Sequence, residues 1–212
     1  MGKTSLTRVI KLPKPSPGKG RSLYASLMAR RTTREISSKK LAPQILSDLL
    51  WSACGINRKK GPFGVPGITA ASASNSQEIE IYVILEEGAY LYVPEKNILT
   101  PAASGDLRVM GIGKGQGGAG AKAPVRLVYV VDIDKFSRAG FQEPGLKDPE
   151  TQKAYYFIDA GIIAGNVYLF AASRGLAVWF HNCDKPGLTA GLKLREDQRV
   201  LFGQTVGYPE KR

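Results

Sequence analysis

A short segment near the amino terminus combines cationic and hydroxyl side chains at close spacing. It comprises three arginines around two threonines, namely Arg30, Arg31, Thr32, Thr33 and Arg34. Guanidinium groups bind phosphate through paired hydrogen bonds, and a threonine hydroxyl supplies a further contact. A solvated helix end has the same composition, because cations are favoured near the negative end of the helix dipole. The segment therefore predicts either a phosphate site or an exposed helix terminus.

A second polar segment, residues 72–77, lies directly before a predicted strand. It carries Ser72, Asn75 and Gln77 around small residues that include Ala73. Hydroxyl and amide groups can both donate and accept hydrogen bonds, so this set suits the edge of a heterocyclic ring. A plain polar turn before a strand has the same residue types. Both interpretations stand on this segment alone.

A third segment, Trp179, Phe180, His181 and Asn182, lies at the end of a predicted buried strand over residues 176–180. Its aromatic side chains could cover a flat ring at the rim of the strand. His181 is the single histidine of the chain. It could transfer a proton, position a substrate or make a structural hydrogen bond.

The central element of the chain is an apolar stretch over residues 153–184. It carries no charge between Asp159 and Arg174, and apolar residues occupy every side of a helical wheel, which predicts a helix covered all round. The uncharged run of 14 residues is short for a bilayer, which favours a buried core helix over a membrane span. Gly161 and Gly165 would let another backbone approach closely, in the same subunit or in a second one.

The remaining patterns predict mixed helices and strands. Apolar spacing predicts helices from about Ser22 and from Pro43, and β-branched residues predict strands at 79–85, 89–93, 125–131, 176–180 and 199–206. The elements do not alternate regularly, so the fold class is predicted to be α+β. Residues 1–21 are predicted to form an extended arm that could lie over a neighbour, and residues 22–212 a single domain. Residues 105–123 are predicted to form a glycine-rich lid or loop.

Composition limits the function classes. The excess of 30 Lys and Arg over 18 Asp and Glu invites anionic partners, or it serves solubility alone. No nucleic-acid-binding motif is visible, so nucleic-acid binding is a secondary interpretation. Cys54 and Cys183 are interpreted as free thiols, and one histidine does not favour a histidine-based metal site. No secretory signal is visible, so the location is cytoplasmic by default, although a trimmed export signal would leave the same sequence.

In this order, the segments resemble the FMN-dependent nitroreductase family, especially its branch related to the dehydrogenase component of thiazole/oxazole-forming synthetases. The matching motifs are Arg-Arg-Ser-x-Arg-like at 30–34, Leu-Leu-Trp-Ala-Ala-x-Gly at 49–55, Pro-Ser-Ala-x-Asn-x-Gln at 71–77, the central helix at Asp159, Gly161, Asn166 and Leu169, and Val-Gly-Tyr-Pro at 206–209. Ala71 replaces the proline of the family pattern, and Ile68 replaces an arginine. Both departures lie in the flavin-facing loop, where they predict altered cofactor affinity or edge contacts.

The resemblance implies an intertwined α+β homodimer, with a central mixed or antiparallel sheet flanked by helices and FMN at the subunit interface. It implies that Arg30, Arg31 and Thr32 meet the phosphate or ribityl chain. Arg34 would reach the N1–C2=O edge, and the Ser72, Ala73, Asn75 and Gln77 loop would meet the pyrimidine edge. The ring would be lined from the second subunit by Trp179, Phe180, His181 and Asn182. The phosphate contacts would be completed by Lys211 and Arg212.

The implied activity is transfer of hydride from NADH or NADPH through FMN to a small organic acceptor such as a nitroaromatic or a quinone, by a ping-pong mechanism and without a metal. Arg34 is the candidate for electrostatic tuning of the flavin, and His181 for proton donation or substrate positioning. The alternative is a specialised or partner-dependent flavoprotein, a dehydrogenase or redox sensor, that does not turn over free NAD(P)H.

Overall fold

The fold is built on one seven-stranded sheet. The computed structural model describes residues 8–16, 18, 20–113 and 122–210. The strands of the sheet are β1 (Ile10–Lys11), β4 (Ile79–Ile84), β5 (Gly88–Val93), β6 (Ile98–Ser104), β7 (Val125–Asp132), β8 (Ala177–His181) and β9 (Gln198–Gly207). Their order is β1-β6-β5-β4-β7-β9-β8, and every described pairing is antiparallel. A separate ribbon pairs β2 (Ile56–Arg58) with β3 (Gly67–Ile68).

The centre of the sheet is its most apolar part. All eight residues of β7 are buried, because β4 and β9 flank the strand and both sheet faces are covered. This burial explains its nearly continuous run of apolar residues, which Arg126 interrupts. The predicted strands at 79–85 and 125–131 are confirmed within one residue of each boundary.

Helices cover both faces of the sheet. They are α1 (Leu23–Ala29), α2 (Pro43–Cys54), α3 (Asp134–Ser137), α4 (Pro149–Arg174) and α5 (Lys185–Leu192). Residues of α2 and α4, including Leu49, Leu50 and Val167, pack with the sheet in the larger apolar cluster. Leu188 and Leu192 of α5 pack in a second cluster with Val128 and other strand residues that point to the opposite face.

The central helix α4 is longer than its apolar run. It begins at Pro149, because the Asp148 carboxylate accepts a hydrogen bond from Thr151 N at 2.8 Å and proline is favoured in a first helical turn. It ends at Gly175, which adopts the left-handed conformation at φ 66°. The predicted stop at Gly175 is confirmed.

One face of α4 is exposed in the single chain, so this chain alone does not supply the predicted cover on all sides. Phe157, Ile158 and Ile162 are 37%, 61% and 37% exposed. Gly161 and Gly165 lie on the same face, and a Cβ atom added to either would meet no atom within 4 Å. The neighbouring helix α1 exposes its own large apolar side chains, namely Leu23, Tyr24, Leu27 and Met28. We call these exposed residues of α1 and α4 the apolar face.

Length and composition alone would also allow α4 to cross a membrane. However, helix α4 is partly buried in the protein, and the core helices of soluble proteins share this length and composition. Its buried residues, such as Ala160, Ile163 and Ala171, belong to the main apolar cluster. Packing within the chain therefore accounts for the apolar residues on the buried face of α4.

The described part of the arm packs on its own chain. β1 pairs with β6, Ser16 N donates to Asp48 Oδ1 at 2.8 Å, and Asn97 Nδ2 donates to Pro13 O at 2.8 Å. The predicted lid at 105–123 is described only at its two ends. Its first part is packed, since Gly113 N donates to Asn182 O at 3.0 Å. Residues 114–121 lie outside the described residues.

Candidate functional site

Tyr168 on α4 connects the arginine segment to strand β8. Its hydroxyl accepts a hydrogen bond from Phe180 N at 3.0 Å and lies 3.0 Å from Thr32 Oγ1. The Arg30 guanidinium lies 5.6 Å from the centre of the Tyr168 ring. Arg30 and Thr32 are both exposed, so this arrangement presents a cation and a hydroxyl side by side to solvent. Sequence reasoning missed Tyr168, although a tyrosine within an apolar helix signals a hydroxyl that needs a partner.

Arg34 lies away from this pair. Its guanidinium is 5.3 Å from the centre of the Trp179 ring. The Trp179 ring in turn lies 4.5 Å from the His181 ring, at an interplanar angle of 55°. Side chains alternate across a strand, so Trp179 and His181 point to the sheet face opposite Phe180. The structure therefore does not bring Trp179, Phe180 and His181 together on one surface. Asn182 and Arg31 are exposed.

His181 has both ring nitrogens engaged inside the protein. Nδ1 donates to Asn182 O and Nε2 accepts from Thr205 Oγ1, each at 2.8 Å. Burial lowers the pKa of His181 to about 4, and nearby Arg126 acts in the same direction. In this protomer His181 is a neutral structural hydrogen-bonder, and neither nitrogen is free for proton transfer. The sequence alone could not separate these roles.

The loop at 72–77 is a tightly bonded structure built on α4. Ala73 N donates to Asp159 Oδ2 at 2.9 Å, and Gln77 N donates to Ser72 Oγ at 3.1 Å. The Gln77 amide donates to Asn75 Oδ1 at 2.9 Å. Three non-glycine residues take positive φ angles, namely Ser74 at 50°, Asn75 at 53° and Gln77 at 51°. Such conformations are costly and cluster at functional sites.

Asn75 leaves a buried donor open. Its Nδ2 atom has no hydrogen-bond partner among the described residues. Asn75 also lines a cavity of about 470 Å³, together with Arg58, Phe63 and Ser72. An unpaired buried donor costs roughly 1–3 kcal/mol, which a ligand carbonyl would recover. The residues of this loop thus fit the carbonyl-bearing edge of a flavin ring, the group that the family resemblance implies.

Two buried carboxyl groups lie beneath this loop. Glu78 is fully buried and Asp159 is 5% exposed. Burial raises the pKa of Glu78, and the neighbouring Asp159 raises it further. Sequence reasoning singled out Asp159 but missed Glu78.

The predicted residues form two half-sites in one protomer. One half-site is Arg30, Thr32 and Tyr168, and the other is the loop at 72–77 above Asp159. Asp159 and Tyr168 are separated along α4 by roughly 14 Å at 1.5 Å per residue. Lys211 and Arg212 lie outside the described residues. The chain just before them runs beside the arginine segment, because Glu210 N donates to Glu35 O at 3.0 Å.

A second cavity of about 460 Å³ lies elsewhere, between β1 and the start of α2. Its lining includes Leu12, Leu41 and Leu46. The described residues that line it include no member of either half-site. The two cavities have similar volumes, so the buried donor of Asn75, and not cavity size, distinguishes the candidate site.

Comparison with known proteins agrees with these half-sites. The Nitroreductase family profile matches residues 27–208. The chain belongs to the nitroreductase family. A Methanocaldococcus jannaschii protein, whose name describes it as an inferred nitroreductase, is 30% identical over 165 residues. The match covers 71% of this chain and 73% of the relative. The crystal structure of an inferred nitroreductase from Ralstonia eutropha is 32% identical and has a TM-score of 0.84. That match covers 97% of this chain and 91% of the Ralstonia chain.

More distant structures share the nitroreductase fold. One is a chain of the E. coli microcin synthetase McbBCD complex, whose structure has truncated pro-MccB17 bound. It has a TM-score of 0.68 at 18% identity, and the match covers 99% of this chain and 79% of that one. Another is the NADPH:FMN oxidoreductase of Vibrio harveyi complexed with NAD+, which has a TM-score of 0.60 at 16% identity. This match covers 89% of this chain and 69% of the Vibrio chain. At these identities the likeness establishes the fold of this nitroreductase-family chain and not its substrates.

Proposed function

We propose that the protein is an FMN-dependent NAD(P)H oxidoreductase acting on a small organic acceptor such as a nitroaromatic or a quinone. The observation that carries the proposal is the open Nδ2 donor of Asn75 beside its cavity, in a loop that matches the family motif. When bound, FMN would supply the hydride chemistry, taking hydride from NADH or NADPH and passing it to the acceptor in a ping-pong sequence. The protein supplies binding, orientation and charge.

Each half-site suits a different part of the cofactor. Arg30 and Thr32 present a guanidinium and a hydroxyl that suit the phosphate or ribityl chain, with Arg31 beside them and Lys211 and Arg212 as further cations. The open amide donor in the loop at 72–77 suits the carbonyl groups of the ring. The two half-sites therefore match the anionic and heterocyclic ends of one ligand.

A homodimer would bring complementary half-sites together. Gly161 and Gly165 lie on the exposed side of α4 between the levels of Asp159 and Tyr168, and they leave room there for a second helix. If two copies of α4 cross antiparallel at these glycines, Tyr168 of one copy lies at the level of Asp159 of the other. Each composite site would then take its phosphate contacts from one protomer and its ring contacts from the second.

Arg34 remains the candidate for tuning the flavin. Its contact with Trp179 is exposed, and such cation–π contacts are worth about 0.5–1 kcal/mol. The side chain can therefore turn to a stronger anionic partner at small cost. A fixed cation beside the ring would stabilise the negative charge that gathers there on reduction.

The experiment that tests this proposal compares the affinities of FMN and riboflavin, which differ by the phosphate. We expect Arg30→Ala to weaken FMN binding about tenfold and to leave riboflavin binding nearly unchanged if the Arg30 guanidinium binds the phosphate, which riboflavin lacks. We expect Asn75→Ala to weaken both ligands equally, by roughly 5- to 100-fold, because a ring hydrogen bond is lost. Equal effects of Arg30→Ala on both ligands would contradict the assignment of the two half-sites.

A second candidate is a flavoprotein that works with a protein partner. It is favoured by the fold shared with a chain of the microcin synthetase complex over 99% of this sequence. Steady-state oxidation of NADH or NADPH with a quinone or nitroarene separates the two candidates. Turnover supports the oxidoreductase, and bound flavin without turnover supports the partner-dependent protein.

A further inference from the structure

Glu78 and Asp159 form a buried carboxyl pair that lacks a cationic partner. No ion pair among the described residues joins a basic side chain to either carboxyl group. Two carboxylates buried side by side cannot both ionise cheaply, because each is desolvated and each repels the other. One of them is therefore expected to keep its proton near neutral pH.

The hydrogen bonds identify which carboxyl carries the proton. Glu78 Oε2 accepts from Ser76 Oγ at 2.6 Å, whereas the buried Glu78 Oε1 has no donor among the described residues. Asp159 Oδ2 accepts from Ala73 N at 2.9 Å. Ala73 and Ser76 belong to one turn, because Ser76 N donates to Ala73 O at 2.9 Å, so the two carboxyl groups bind neighbouring points of the loop. We therefore infer that a proton on Glu78 Oε1 would donate to Asp159. This placement leaves no oxygen of Glu78 unsatisfied.

We propose that Glu78 and Asp159 share one proton, and that this proton positions the loop at 72–77 for binding the flavin edge. The proposal rests on the proposed function. Asp159 anchors the loop through Ala73 N, and the loop holds Asn75 and Gln77 in left-handed backbone conformations that need such anchoring. Loss of the proton to solvent leaves two adjacent carboxylates, which repel each other and release the anchor. Glu78 and Asp159 are thus positioning residues for the cofactor.

The surrounding charged groups do not replace this proton. Lys135 of α3 is engaged with Glu80 Oε1 at 3.1 Å and with Gln77 O at 3.3 Å. Asp132 of β7 donates its backbone N–H to Glu78 O at 2.9 Å, and its carboxylate is paired with Arg195 at 3.0 Å. Tyr155 precedes Asp159 by about one turn of α4, and it is uncharged near neutral pH. Burial, together with Asp159, raises the pKa of Glu78 to about 7, so the proton is lost as the pH rises through neutrality.

The test is the dissociation constant for FMN between pH 6 and pH 9, measured by quenching of flavin fluorescence. From pH 6 to pH 9, the dissociation constant of wild type should rise by a factor about 10 to 100 times larger than that of Glu78→Gln. The amide of this variant donates to Asp159 at every pH. Titration of the FMN phosphate affects both proteins equally and cancels in the comparison. Glu87→Gln is the matched control, because Glu87 is exposed and follows the opposite end of β4, and it should keep the wild-type profile. Parallel profiles for wild type and Glu78→Gln would overturn the proposal.

A milder variant keeps the test valid if Glu78→Gln does not fold. Ser76→Ala removes a hydrogen bond that favours the ionised form of Glu78. The pH at which half of the FMN affinity is lost should therefore be higher in this variant than in wild type. A pH midpoint that is unchanged or lower contradicts the shared proton. If FMN binds at no pH, the proposed function fails, but the pair is still tested by thermal unfolding of the flavin-free protein. From pH 5 to pH 8, wild type should lose unfolding stability relative to Glu78→Gln, whose side chain does not titrate. A constant difference overturns the pair.

Discussion

Replacement of Ile158 by aspartate tests whether the apolar face is a dimer interface. Ile158 is the most exposed large apolar residue of α4, at 61%. In a single protomer, Ile158→Asp should therefore change stability little. In a dimer built on this face, each site would lose the burial of most of one isoleucine side chain and would gain a buried carboxylate.

The magnitude follows from these two effects. Full burial of an isoleucine is worth about 1.5–3 kcal/mol, so the exposed part accounts for about 1–2 kcal/mol per protomer. Symmetry places the substitution twice in each dimer, which gives about 2–4 kcal/mol. Desolvation of the new carboxylates adds several kcal/mol more. The dimer dissociation constant should therefore rise by at least about a thousandfold.

The assay is sedimentation velocity over a range of protein concentrations, with circular dichroism to confirm folding. Val109→Asp is the control, because Val109 is 82% exposed but lies outside the apolar face. We expect a folded monomer for Ile158→Asp, a dimer for the control, and loss of FMN binding in the monomer alone. A dimer of unchanged affinity in Ile158→Asp, or full FMN affinity in the monomer, would refute the composite site.

Two further predictions concern the strand β8 region. Tyr168→Phe removes the acceptor of Phe180 N and the partner of Thr32, so unfolding stability should fall by about 1–2 kcal/mol, or a few degrees in Tm. Tyr24→Phe is the matched control, since that ring is 83% exposed and should change Tm by less than about 1 °C. For His181, the folded pKa of about 4 lies below the ordinary 6.5, so the unfolded chain binds more protons in that window. Stability should therefore fall by up to about 3 kcal/mol as the pH drops from 6.5 to 4, and denaturant titrations of His181→Asn should lack this component.

The sequence predicted the elements that have strong local patterns. Periodicity and burial alone were enough to recognise the β-branched run of β7 and the row of apolar residues along α2. Strand β6 and helix α5 were missed, because β6 contains Pro101 and α5 contains a proline and two glycines, which weaken any local signal. Their positions are determined by pairing with β5 and by packing on the sheet, which are tertiary effects.

The candidate site was predictable by residue type and less so by orientation. The Arg30 and Thr32 segment and the Asn75 loop were identified from hydrogen-bonding chemistry at short spacing. The opposite orientations of Phe180 and His181 follow from strand alternation, which a contiguous motif conceals. Glu78 had no local signal, since its partner Asp159 lies on a distant helix. The division into half-sites also requires the tertiary structure, because it depends on the separation of Asp159 and Tyr168 along α4.

The most direct measurement is the visible absorption spectrum of the purified, salt-washed protein, repeated after addition of FMN and then of NADPH or NADH. The proposed function predicts flavin bands that stay with the protein through gel filtration and that bleach when the nicotinamide is added. Bands that persist after that addition would favour the partner-dependent flavoprotein. If no flavin is retained or taken up, the departures at Ala71 and Ile68 have abolished the cofactor site, and the central claim is contradicted.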